Sequence, residues 1–141
     1  MKKLLLVLIL LVCVLMGCGS ETNSQLSEED TQNEGIVIYE DDFLKATYVG
    51  VAETSGVAVM TVSLENKTES EITVLPMDSS VDGTTVQFTS GTIATIQGGK
   101  TFNQRWIIGS MPTEVIEFSM SICDKDMSEL VKTDILTVEV K

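Results

Sequence analysis

The sequence contains no histidine, only nine basic residues and few aromatic side chains. Histidine is the usual general base and the commonest metal ligand near neutral pH, so the ordinary routes to acid–base catalysis and to a zinc site are missing. The 21 acidic residues give a formal charge of −12, which is unfavourable for binding a phosphate backbone. We therefore predict that the protein is not an enzyme and has no nucleic-acid partner; an enzyme of unfamiliar type is the weaker alternative.

Long hydrophobic runs are also scarce, and the only one, Leu4–Met16, stands directly after Met1-Lys2-Lys3. Thirteen residues make about 20 Å of helix, which is shorter than the ~30 Å hydrocarbon thickness of a bilayer. A basic start, a short apolar run and small residues beyond it are typical of a secretory signal peptide. A buried core helix or a short membrane anchor is the alternative, but no other segment could pack around so uniform a run.

The apolar run ends in Leu15-Met16-Gly17-Cys18. This tetrapeptide resembles the lipobox of bacterial lipoproteins, in which a leucine, a variable residue and a small residue precede a cysteine. The resemblance implies transfer of a diacylglyceryl group to Cys18 and cleavage between Gly17 and Cys18, so residues 1–17 would be the signal peptide. Two acyl chains hold a protein on a bilayer durably. The prediction is a lipid anchor on the extracytoplasmic face of the cell membrane; the alternative is ordinary cleavage beside an unmodified cysteine.

Residues 18–35 contain five acidic side chains, no basic ones and Leu26 as the only large apolar one. Such a segment cannot bury enough surface to offset its ordering entropy, so we predict a disordered tether after the lipidated cysteine. Cysteine is scarce beyond it, because Cys13 lies in the signal peptide and Cys123 is the only thiol of residues 36–141. The folded domain is therefore expected to form no internal disulfide.

Residues 36–141 show a hydrophobic period of two, which is typical of half-buried strands. Val57–Leu64 places alternate apolar residues on one face, and in Val115–Ile122 four apolar residues alternate with Glu117, Ser119 and Ser121. Only Met127–Lys132 suggests one helical turn. The further predicted strands are Ile36–Glu40, Phe43–Ala52, Glu71–Leu75, Thr84–Thr89, Ile93–Ile96, Lys100–Ile108 and Asp134–Val140.

Turn signals separate these segments at intervals of about ten residues. Asn66–Ser70 reads as a polar corner, although Asn66-Lys67-Thr68 also matches a glycosylation acceptor, and Asp82-Gly83 suits a hairpin turn. The pattern predicts an all-β fold, an antiparallel immunoglobulin-like β-sandwich of about seven to eight strands over residues 36–141.

The strand and turn order around Val62–Thr68, Ser80–Gly83 and Ile96–Lys100 resembles the immunoglobulin-like, telokin-like accessory domains of small lipoproteins from Gram-positive bacteria. Asp82 and Gly98 stand where those domains often carry asparagine and proline. The resemblance implies the fold and the location, but it supplies no catalytic residue.

Two groups of residues are candidate sites. Asp124 and Asp126, with Glu129 nearby, are weak calcium candidates, and the favoured interpretation is that they are solvated turn carboxylates. Arg105 is the only arginine and Trp106 the only tryptophan of the sequence. Trp106 is either a core residue or a recognition aromatic, and the apolar Ile107 and Ile108 that follow favour the core.

Cys123 falls out of phase with the apolar positions of Val115–Ile122. We therefore expect partial exposure, with a reduced thiol or a disulfide to a second chain as its two fates. Taken together, the sequence predicts a lipid-anchored, non-enzymatic binding module without a cofactor. Its partner would be an envelope protein, a cell-wall polymer or an exported substrate, and a calcium-stabilised sandwich is the alternative.

Overall fold

The computed structural model describes residues 35–141, so the predictions for the signal peptide, for Cys18 and for nearly all of the tether lie outside it. The described residues form ten strands and no helix. The strands are β1 (Ile36–Glu40), β2 (Leu44–Thr54), β3 (Val57–Asn66), β4 (Ile72–Val81), β5 (Thr84–Thr85), β6 (Ala94–Ile96), β7 (Thr101–Gly109), β8 (Val115–Asp124), β9 (Glu129–Lys132) and β10 (Leu136–Glu139).

The strands form two antiparallel sheets that pack as a sandwich. Sheet A has the order β1-β2-β3-β7, and sheet B has the order β10-β8-β4-β5, with β6 also paired to β4 and β9 to β8. The predicted antiparallel β-sandwich is thus confirmed, with ten strands instead of seven or eight. Strand β6 pairs with β4 and strand β9 pairs with β8, so both central strands of sheet B have neighbours on both edges.

The core lies between the sheets and follows the period of two. Ala58, Met60, Val62 and Leu64 point inward from β3, and Ile116, Phe118, Met120 and Ile122 point inward from β8. An aromatic cluster fills the centre: the Phe118 ring centroid lies 5.6 Å from that of Trp106 and 5.7 Å from that of Phe88. Rings at these separations add stabilisation beyond their buried area.

The predicted turns are present where their residue types require them. Asp82 and Gly83 have φ angles of 48° and 76°, which the two-residue hairpin between β4 and β5 needs. Asn66 forms the polar corner: its buried amide donates to the carbonyl oxygens of Ser70 and Ile96 at 2.7 and 2.9 Å. A Cβ at position 98 would overlap the Glu69 carbonyl, so this corner leaves no room for a side chain at Gly98.

Three predicted elements are wrong. The strand predicted over Thr84–Thr89 is only the two residues Thr84–Thr85 of β5, and Thr89 forms an isolated bridge to Ile107. The strand predicted to end at Leu75 continues through Pro76 to Val81. The proline is tolerated because at this position β4 pairs with β8 on one edge and with neither β5 nor β6 on the other. Its missing N–H therefore leaves no hydrogen bond unmade. The segment predicted as a helical turn, Met127–Lys132, instead contains strand β9. A turn after Asp124 reverses the chain, so that β9 pairs antiparallel with β8.

Candidate functional site

Trp106 is a core residue. It shares the inner face of β7 with Gln104 and Ile108, and only 1% of it is exposed. The sequence left open whether Trp106 recognises a partner. Its burial contradicts that role, because the ring is enclosed between the sheets against Phe88 and Phe118.

Arg105 points the opposite way, to the outer face of sheet A. Its Nη2 donates a long hydrogen bond of 3.4 Å to the Thr54 hydroxyl of β2. Because β3 lies between β7 and β2, the arginine side chain crosses the outer face of β3 to reach Thr54. Val59, an outward residue of β3 beneath this path, is only 7% exposed. The aliphatic stem of an arginine commonly covers apolar surface in this way.

Arg105 lines a groove of about 330 Å³ on this face. We call it the Arg105 groove. Its floor is apolar and its rim carries two hydroxyl groups, a glycine and the guanidinium. The lining residues are Thr54, Ser55, Val57, Val59, Gly91, Arg105 and Ile107.

The wall of the groove at Gly91 is fixed by two sets of hydrogen bonds. Thr89 and Ile107 exchange backbone hydrogen bonds of 3.1 and 2.7 Å, so the segment before Gly91 is paired to β7. The buried Gln104 amide donates to the Thr92 carbonyl at 3.2 Å and holds the segment after Gly91. The wall is therefore in place before any ligand arrives.

The outer face of sheet A carries little charge. By register, its outward charged side chains are Glu40, Lys45, Glu65 and Arg105. Glu65 lies opposite Thr101, four residues or about 13 Å along β7 from Arg105. Among residues 35–141, Arg105 takes part in none of the three ion pairs. The guanidinium thus has no carboxylate partner within the described domain.

A larger depression of about 460 Å³ lies where β1 and β2 meet the C-terminal residues. Its basic residue, Lys141, shares it with Glu139, and the other lining residues, including Tyr48, are uncharged. The charges there balance one another, so this depression offers a ligand less electrostatic selectivity than the Arg105 groove.

The two calcium candidates serve different purposes in the structure. Asp124 Oδ1 accepts the backbone N–H groups of Asp126 and Ser128 at 2.9 Å each, and Asp126 pairs with Lys125 at 3.1 Å. Glu129 accepts a 2.6 Å hydrogen bond from Ser121. In the part of the chain that the structure describes, no three acidic, cysteine or histidine side chains converge as a metal site. Asp124 therefore acts as a carboxylate that stabilises its own turn.

The outer face of sheet B carries two groups of polar side chains that are hydrogen bonded internally. Asp78 accepts hydrogen bonds from Lys132 at 2.8 Å and from Ser119 at 3.0 Å. The lysine, followed by the serine, lowers the pKa of Asp78, and Asp78 in turn raises the pKa of Lys132. Glu129 and Ser121 form the second group. Each of these acids has its partner within the domain.

Asp82 and Asp41 hold turns in the same manner. Asp82 accepts the backbone N–H groups of Val115, Thr113 and Glu114 at 2.8–2.9 Å, and these amides lower its pKa to about 2. Burial of Asp41 opposes ionisation, but hydrogen bonds led by that from Tyr39 outweigh it and lower the pKa of Asp41. Burial, followed by the same hydrogen bond, raises the pKa of Tyr39 to about 12.

Cys123 is buried, with 4% exposure, so the prediction of partial exposure is wrong. Its side chain lies on the outer face of β8, between the register neighbours Thr73 of β4 and Glu129 of β9. The thiol stands 3.5 Å from the Ser121 hydroxyl. A residue out of phase with the core is enclosed here because its strand is central in the sheet. A disulfide to a second chain would require the outer face to open.

No family model matches the sequence, and no curated protein or solved structure is significantly similar to it. No segment of residues 35–141 forms a helix long and apolar enough to span a membrane. The candidate site therefore rests on its own geometry. Sequence reasoning singled out Arg105 but missed the groove, because Thr54 lies 51 residues away from it in the chain.

Proposed function

We propose that the protein is a lipid-anchored, non-enzymatic binding module on the outer side of the cell membrane. The anchor is argued from Leu15-Met16-Gly17-Cys18 and the short apolar run before it. The resemblance of the strand and turn order to telokin-like lipoprotein domains agrees with this location. The partner is an envelope component, either a protein or a cell-wall polymer.

The observation that carries the binding role is the Arg105 groove. In this groove a charged group lacks a carboxylate partner, while Asp78, Asp82 and Asp124 are engaged within the domain. Concave apolar surface with a few fixed polar groups is the usual form of a binding site.

The anchor is tested by labelling. The full chain, produced in a Gram-positive host that is fed labelled palmitate, is expected to carry the label on Cys18. The Cys18→Ala variant should be unlabelled and either uncleaved or released, whereas Cys13→Ala is the matched control that keeps the label. A labelled and processed Cys18→Ala protein would contradict the anchor.

The binding face is tested by photo-crosslinking in intact cells. A photoreactive residue is placed in turn at Val57, in the groove, and at Glu117, on the outer face of sheet B. We expect a discrete crosslinked product from position 57 and none from position 117. Equal products from both positions, or products from position 117 alone, would reject the groove as the binding face.

A further inference from the structure

We infer that the Arg105 groove binds a free carboxylate that stands next to a small aliphatic side chain, such as the C-terminal end of an extended peptide. This inference rests on the proposed function, because it names the ligand class of the binding module. It is argued from the donors of Arg105, the apolar floor and the charge distribution of the domain.

The guanidinium has unused donor capacity. An arginine presents five N–H donors in a planar fork, and that of Arg105 makes one side-chain hydrogen bond, of 3.4 Å, to the Thr54 hydroxyl. The fork matches a carboxylate, which accepts two parallel hydrogen bonds from it. Thr54 limits where the guanidinium can point, and the stem over Val59 holds it close to the floor. A carboxylate in the groove would therefore meet N–H donors of the guanidinium that have no other side-chain partner.

The floor supplies the aliphatic part of the site. Ile107 follows Arg105 on the same face of β7 and is 39% exposed; Val59 lies opposite it on β3, and Val57 is the next outward residue of β3. A volume of about 330 Å³ is at the lower end of the roughly 300–1,000 Å³ usual for small-molecule sites. The groove thus fits one or two small residues at a chain end, and it is too small for a broad protein surface.

The charge distribution of the domain favours a ligand that carries a single negative charge. Residues 36–141 contain sixteen acidic and seven basic side chains, a net charge of −9. This excess repels anions of higher charge such as phosphate groups, which also favour clustered basic residues. One arginine on a neutral, apolar floor compensates one carboxylate. A cationic ligand would instead be repelled by the guanidinium.

The direct test uses N-acetyl-alanyl-valine as the probe and its C-terminal amide as the matched control. The protein is the chain without residues 1–18, which keeps every core residue of the described domain. In a titration followed by amide chemical shifts, we expect perturbations around β3, β7 and Gly91. The acid should bind roughly tenfold or more tightly than the amide, because only the acid forms charge-assisted hydrogen bonds.

Two pairs of variants separate charge from shape. Arg105→Gln should reduce binding of the acid to the level of the amide, whereas Lys45→Gln, which removes the other outward base of sheet A, should leave it unchanged. Ile107→Glu should block binding by placing an internal carboxylate beside Arg105, and Ile107→Gln of the same size should retain preference for the acid.

Equal binding of acid and amide, or full binding of the acid by Arg105→Gln, would overturn the inference. So would the absence of acid binding up to millimolar concentration. If the groove nevertheless crosslinks to an envelope component in cells, the proposed function stands with a different ligand class. If the crosslink at position 57 is also missing, both fail.

Discussion

The outer faces of the two sheets use polar residues in opposite ways. On sheet B, Asp78 is bonded to Lys132 and Ser119, and Glu129 is bonded to Ser121, at 2.6–3.0 Å. On sheet A, Arg105 reaches one neutral hydroxyl at 3.4 Å and has no carboxylate partner. A polar network that is satisfied internally stabilises the fold, whereas a charged group without an internal partner is available to a ligand. Four predictions test this difference.

The largest loss of stability is expected for a substitution in the core between the two sheets. Trp106→Ala removes the largest buried side chain from the aromatic cluster and should lower the free energy of unfolding by about 3–5 kcal/mol. Asn103→Ala, on the outer face of the same strand, should change it by less than about 0.5 kcal/mol. Urea denaturation measures both. A loss of similar size for the two variants would contradict the assignment of inner and outer faces on β7.

The next largest loss of stability is expected at Asp82, and its size depends on pH. Its pKa of about 2 in the folded protein lies below the value of about 3.9 of an unfolded aspartate. Its stabilisation is therefore complete above pH ~4 and is lost as the pH falls through about 2. Asp82→Asn should lower the thermal midpoint at pH 7, and the difference from the natural chain should shrink towards pH 2. A difference that stays constant between pH 7 and pH 2 would show that the carboxylate charge does not act here.

A matched pair of serine substitutions compares the two faces directly. Ser121→Ala removes the 2.6 Å hydrogen bond to Glu129 from a buried position and should cost about 1 kcal/mol of unfolding free energy. Ser63→Ala on the outer face of β3 breaks no side-chain hydrogen bond of the described domain and should cost less than about 0.5 kcal/mol. Equal losses would remove the distinction between a closed and an open face.

The smallest effect on stability is expected at the site itself. Arg105→Gln should change the free energy of unfolding by less than about 0.5 kcal/mol, because the lost hydrogen bond is long and exposed. Chemical denaturation at neutral pH measures it. A loss above 2 kcal/mol would assign Arg105 a structural role and would weaken the case for the groove.

The period of two in the sequence identified the inward faces of β3 and β8, since the inward residues of these two strands are all apolar. It could not show that Ser119, Ser121 and Cys123 are buried, because that depends on which strands flank β8. Small polar side chains fit there, and their sequence resembles that of an exposed face.

Interactions between distant residues were also outside the reach of sequence reasoning. Asp82-Gly83 was recognised as a turn, but the amides that the Asp82 carboxylate holds are 31–33 residues further along the chain. In the same way, Arg105 was recognised as an isolated cation, whereas the groove around it requires the register of β2, β3 and β7 and the pairing of Thr89 with Ile107.

The position of β8 has a consequence for how the domain acquires its structure. β8 is the last long strand in the chain, yet it pairs with β4, β9 and β10. Thr73 of β4 meets Cys123, fifty residues later in the chain. A growing chain can therefore complete most of sheet A, and pair β4 with β5 and β6, before β8 is available to β4. Sheet B is complete only when β8 and the strands after it are present, and such long-range pairing is expected to make folding slow.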